Sequence, residues 1–122
     1  VLTVSLNQDS NHEAYVLGRL FSVLEAIQSD ANPGINATIR DKYFSSASAT
    51  PGVVFPTLVN LAQKHLRKLD EGKKIFYDKQ LTELMSKLGE TYPNRMNLPQ
   101  QGAFQLGYYH QTQYRFTKKE DK

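Results

Sequence analysis

Cysteine is absent from the chain. Disulfide staples, thiolate metal sites and a cysteine nucleophile are thereby excluded, burial has to hold the fold, and the lack fits a reducing cytosol. Long hydrophobic runs are missing too. Stretches such as Val53-Val54-Phe55 fall far short of the roughly 18 residues that cross a bilayer, and no signal-like segment opens the chain. A soluble, cytoplasmic protein without membrane contact is expected. Catalytic signatures are equally scarce: the sequence holds no Gly-x-Ser-x-Gly elbow, no phosphate loop ending in Gly-Lys-Ser/Thr and no dinucleotide fingerprint. His12, His65 and His110 are too scattered for a local metal motif. No catalytic residue, metal, cofactor or small-molecule substrate is expected, and the protein is read as a non-enzyme.

What is present suits one compact unit. The 122 residues match a single domain, and Leu, Ile, Val and Phe make up about a quarter of them, enough to build a core. The formal charge is only +3, but its distribution is uneven. Residues 1–36 carry a net −3, residues 37–79 a net +4 and residues 80–122 a net +2. The middle of the chain is the basic part.

Apolar spacing predicts an all-α bundle of four to five helices. Residues 1–11 read as an arm or linker, 12–116 as the bundle and 117–122 as a frayed basic tail. Ser10 and Glu13 have the spacing of a capping box, and Leu17, Leu20, Phe21, Leu24, Ile27 and Ala31 follow in three- and four-residue steps up to Asn32-Pro33-Gly34. A short helix from about Asn36 to Phe44 is expected to dissolve into Ser45-Ser46-Ala47-Ser48-Ala49. Thr50-Pro51 starts a third helix, striped by Phe55, Leu58, Leu61, Ala62, His65, Leu66 and Leu69 and closed by Gly72 as a C-terminal cap. A fourth runs from about Lys73 to Leu88, with Tyr77, Leu81, Leu84 and Met85 inward. The fifth starts at Asn97 or Leu98, turns Phe104, Tyr108 and Gln111 inward and reaches about Tyr114.

Three features bear on function. Ser45–Gly52 leads into a helix N-terminus where free N–H groups can hold a phosphate, although a plain connector is the simpler reading. Lys79, Glu83 and Lys87 satisfy one another on a solvated helix face. Lys64, Arg67 and Lys68 lie opposite the third helix's apolar stripe and continue into Lys73 and Lys74, so that only Asp70 and Glu71 oppose five cations over residues 64–74. Arg40 and Lys42 extend the set. Such a cluster attracts a phosphate backbone by releasing its counterions, and the nearby Tyr43, Phe44, Phe76 and Tyr77 offer rings for stacking. A solvated basic surface or an acidic protein partner are the alternatives. His65 and His110 read as core or interface histidines with one hydrogen bond each.

The strings Tyr15-Val-Leu-Gly-Arg-Leu-Phe-Ser-Val-Leu-Glu25, Ile35-Asn-Ala-Thr-Ile-Arg-Asp-Lys-Tyr-Phe-Ser-Ser-Ala-Ser-Ala-Thr-Pro51 and Gln101-Gly-Ala-Phe-Gln-Leu-Gly-Tyr-Tyr-His-Gln111 resemble the C-terminal region of the large subunit of the type I-C CRISPR surveillance complex, Cascade. They come in that family's order and approximate spacing, over about residues 12–114. In that family the region is also made separately as a small subunit. The resemblance implies a non-catalytic helical bundle in the belly of the complex, touching the large subunit and the backbone subunits that hold the guide RNA. It also implies that the bundle steadies the opened DNA target, the R-loop, through its non-target single strand. Gly18 and Gly107 are expected to permit close helix approach, and Arg19 to pair with a carboxylate at a helix contact. The start at Val1 in place of methionine departs from what such a small subunit should look like, and the chain is expected to be a trimmed small subunit or a domain cut from the large one.

Overall fold

A computed structural model describes residues 6–89 and 91–120, with side chains up to Phe116. Five helices form one bundle: α1 (Glu13–Ala31), α2 (Ile39–Ala49), α3 (Pro51–Leu66), α4 (Glu71–Lys87) and α5 (Leu98–Glu120). No strand occurs among the described residues, so the all-α reading holds.

Helix α1 is buried on every side from Ala14 to Leu24, which makes it the central rod against which α5, α4, α3 and α2 pack. Its crossing with α5 is the closest in the bundle. A Cβ on Gly18 would lie 2.0 Å from Phe104 O, and one on Gly107 would lie 2.0 Å from Tyr15 O. Both glycines are required because backbone, which cannot turn aside as a side chain can, occupies the space. Phe21 of α1 then meets Phe44, Phe55, Phe104 and Tyr108 edge-on at centroid distances of 5.5 to 6.4 Å, the favoured geometry for aromatic quadrupoles.

Several helix ends differ from the sequence-based expectation. The Ser10 capping box does not form: α1 begins after His12 without a side-chain cap, while Ser10 Oγ accepts from His12 N at 3.2 Å. Ser10 is engaged in the preceding turn, which Asn7 anchors by donating its N–H to Tyr15 Oη at 3.0 Å. Helix α2 starts at a Thr38–Asp41 capping box and continues through the Ser-Ala run, because Ala47 and Ser48 are buried and packing outweighs weak propensity. The Ser45–Gly52 segment is therefore mostly helix, with Thr50 as the single link between α2 and α3. Helix α3 stops at Leu66, earlier than expected. Asp70 caps α4, its Oδ1 accepting from Lys73 N at 2.8 Å, and this places Gly72 in the first turn of α4 and not at a C-terminal cap. Asn97 and Gln100 cap α5 reciprocally at 2.8 and 2.9 Å, and the helical backbone continues past Tyr114 through residues 117–120. Residues 1–5 of the expected arm and 121–122 of the expected tail lie outside the described residues.

Gly34, with φ +88°, makes the left-handed turn that ends α1. No helix among the described residues is long and apolar enough to cross a membrane.

Candidate nucleic-acid interface

The expected basic residues all reach the surface, but the fold divides them. Lys64 lies in the last turn of α3, Arg67 is its C-cap, and Lys68 follows in the turn; all three are exposed. Leu58, Ala62 and Leu66 hold the opposite side of α3 in the core, so this cationic edge faces outward. Lys68 Nζ reaches Asn32 Oδ1 at the end of α1, 3.4 Å away. Arg67 and Lys74 share a shallow groove of about 300 Å³ with Ile75, Glu71 and Asp78. That groove carries charge of both signs, because the i, i+4 spacing from Lys74 brings Asp78, from beyond residues 64–74, alongside the cations.

Lys73 points elsewhere, into a separate groove lined by α1, α4 and α5. Arg40 sits on α2, with Nη2 3.4 Å from Tyr109 Oη and its guanidinium 5.6 Å from the Tyr108 ring centroid. Lys42 is exposed on the same helix. The cations thus form an α3–α4 edge and a second site on α2 beside α5.

Most of the proposed stacking rings are committed to the core. Phe44 packs between Phe104 and Tyr108 at 5.3 and 5.0 Å, Tyr43 is partly buried, and Tyr77 is buried with its hydroxyl on Asp30 Oδ2. Burial and the Asp30 carboxylate push the Tyr77 phenol well above its ordinary pKa, as burial and Glu25 do for Tyr108. Phe76 alone of the four stays half exposed. Rings the sequence reading missed lie on α5: Tyr109, Tyr114 and Phe116 are accessible, and the Arg115 guanidinium sits 4.5 Å from the Phe116 ring centroid. Projecting α5 at 100° per residue would have found them. Tyr109 and Phe116 share their face with Leu98 and Leu106, 78% and 54% exposed, while Tyr114 turns to the groove between α1, α4 and α5; residues 98–114 contain no Asp, Glu, Lys or Arg. This apolar, uncharged flank of α5 stands beside Arg40 of α2, which meets Tyr109.

The polar residues inside the bundle serve its packing. Tyr15 Oη lies 2.7 Å from His110 Nδ1, and His65 Nδ1 lies 3.2 Å from Asn32 Nδ2, so each histidine has the single side-chain partner expected of it. Burial, helped by Lys68, holds the His65 pKa below its usual value. Arg19 meets the expectation only in part: its Nε donates to the amide Oε1 of Gln111 at 2.9 Å, because the Gly18–Gly107 crossing sets Gln111 of α5 opposite it, while burial lowers its pKa and the charge of the Glu83 carboxylate on α4 opposes that shift. Among the described residues no three His, Asp or Glu side chains gather as a metal site.

Fold and surface define a small all-helical protein with a cationic edge and an apolar flank. Residues 1–116 match the sequence model of the CRISPR-associated protein (Cas_Csd1) family, and the chain belongs to that family. The match bears out the resemblance of the three strings and makes the protein a CRISPR-associated Cascade component. No curated protein matches the chain.

Proposed function

We propose that the chain serves as the non-catalytic small subunit of a type I-C Cascade, where it stabilises the opened DNA target through contacts to the non-target strand that do not read sequence. The observation that carries this reading is the outward presentation of Lys64, Arg67 and Lys68 opposite the buried Leu58, Ala62 and Leu66. Cations so placed release counterions from any phosphate backbone. Guide pairing replaces one duplex with another of similar stability, so backbone contacts of modest strength are enough to tilt the exchange.

A second reading is architectural, with the chain meeting only protein or guide RNA, as a free subunit or as the C-terminal domain of the large one. The uncharged α5 flank supports it, since charge-depleted apolar surface suits packing against a neighbouring subunit. The test is omission and add-back. A complex lacking the chain is expected to load guide RNA normally but to form less RNA–DNA hybrid on duplex targets, and the chain added in trans restores it. Negative supercoiling is expected to lessen the need. Hybrid formation unaffected by omission would leave the architectural role.

A further inference from the structure

Lys73 stands apart from the α3–α4 edge, because it faces away from Lys64, Arg67 and Lys68 into the groove between α1, α4 and α5. That groove has a volume of about 320 Å³, at the small end of ligand sites, and Val23 and Ala26 form an apolar floor. Phe76 and Tyr114 stand in its walls, with Lys73 and Arg115 beside them. Phe76 is 49% exposed and is held edge-on by Tyr77, at a centroid distance of 5.2 Å, so an accessible ring is fixed in place before anything binds.

The groove continues along α1 into a second lobe that Phe76, Tyr114 and Gln111 also line. There Arg19 is only 4% exposed, its Nε engages Gln111 Oε1, and its Nη1 has no hydrogen-bond partner. Among the residues lining both lobes Glu83 acts on the buried Arg19, which leaves the cations Lys73, Lys79 and Arg115 facing the single carboxylate Asp30. An aromatic wall over an apolar floor, with surplus positive charge at the rim, is complementary to a π-faced ligand carrying negative charge.

From this we propose that the α1–α4–α5 groove is a second nucleic-acid site, which holds one unpaired base of a single strand against Phe76 and Tyr114 and its phosphate against Lys73 and Arg115. It rests on the reading that the chain meets single strands, and it adds a stacking site on a different side of α4 from the α3–α4 edge. Stacking tolerates any base, so the site adds affinity without sequence choice. A duplex does not fit, because its bases are already stacked on one another. The groove therefore distinguishes opened DNA from closed DNA, which a cationic edge alone does only weakly.

The test titrates the chain, at low salt, with a short DNA strand carrying 2-aminopurine, with the same strand made abasic at that position, and with an RNA of the same sequence. Wild type is expected to quench the 2-aminopurine and to bind the base-bearing DNA and RNA more tightly than the abasic strand. Phe76→Ala is expected to lose roughly 5- to 150-fold in affinity for the base-bearing strand, the equivalent of about 1–3 kcal/mol of stacking, and to bind the abasic strand as wild type does. Phe76→Trp keeps the binding, which excludes a folding defect as the cause. Phe76→Ala binding both strands like wild type overturns the groove site while leaving the α3–α4 edge intact. Wild type binding neither strand overturns both.

Discussion

Replacing Gly18 with alanine tests the crossing on which the bundle depends. The added methyl would sit 2.0 Å from Phe104 O, about 1.4 Å short of an ordinary contact at 3.4 Å, with Tyr108 N at 2.8 Å as a second obstacle. Both obstacles are backbone atoms of α5, so relief requires moving one helix away from the other along the largest interface in the molecule. Overpacking of this kind costs about 1–3 kcal/mol, and more when backbone must move. Against it stands the helix propensity of alanine, worth about 1 kcal/mol over glycine. The net expectation is a loss of roughly 2 kcal/mol or more, which lowers Tm by about 6–12 °C for a domain of this size. Gly107→Ala meets Tyr15 O at the same 2.0 Å and is expected to cost a similar amount. One separation of the helices relieves both clashes, so the double variant is expected to lose less than the sum of the singles. Thermal and urea melts of the three variants decide the matter. If Gly18→Ala is as stable as wild type, the propensity term has won and the two helix backbones are not in tight contact.

Two further outcomes follow from the surface and the buried phenols. Changing Lys64, Arg67 and Lys68 together to alanine is expected to alter stability by no more than about 0.5 kcal/mol, while flattening the log–log salt dependence of single-strand binding by about two, at roughly 0.7 per lost phosphate contact; an unchanged slope moves the contact elsewhere. The phenols of Tyr77 and Tyr108 are raised in the fold by burial and by their carboxylate partners Asp30 and Glu25. Their contribution to stability is complete below the unfolded tyrosine pKa of about 10 and is lost as pH rises beyond it. Stability measured from pH 9 to 11 should fall, and the Tyr77→Phe/Tyr108→Phe double variant should fall less steeply; equal slopes count against the pairing.

Elements whose signal is local were legible in the sequence. The repeat from Leu17 to Ile27 identified α1, and the pairing of Phe104, Tyr108 and Gln111 identified the inner face of α5. Gly18 and Gly107 stood out through the strings that carry the family resemblance, and the structure supplies their reason. Helix ends were harder because two candidates competed at each. Ser10 matched a capping box but was taken by the upstream turn, and Gly72 resembled a C-cap although Asp70 just before it was the better N-cap. Helix α2 ran on through Ser45–Ala49 because Ala47 is buried by distant residues, which no local pattern records. The candidate site shows the same division. That Lys64, Arg67 and Lys68 face outward follows from one helix's periodicity. That Lys73 turns into a groove with Arg115, while Arg40 meets Tyr109, depends on how separate helices pack.

The most direct test of the proposed role is permanganate footprinting of the displaced strand on a duplex target, at matched guide loading, with the chain absent, present, or present as the Lys64→Ala/Arg67→Ala/Lys68→Ala variant. Stabilisation of the opened target predicts strong reactivity of unpaired thymines with the wild-type chain, weak reactivity without it and intermediate reactivity with the variant. Equal footprints in all three complexes would contradict it.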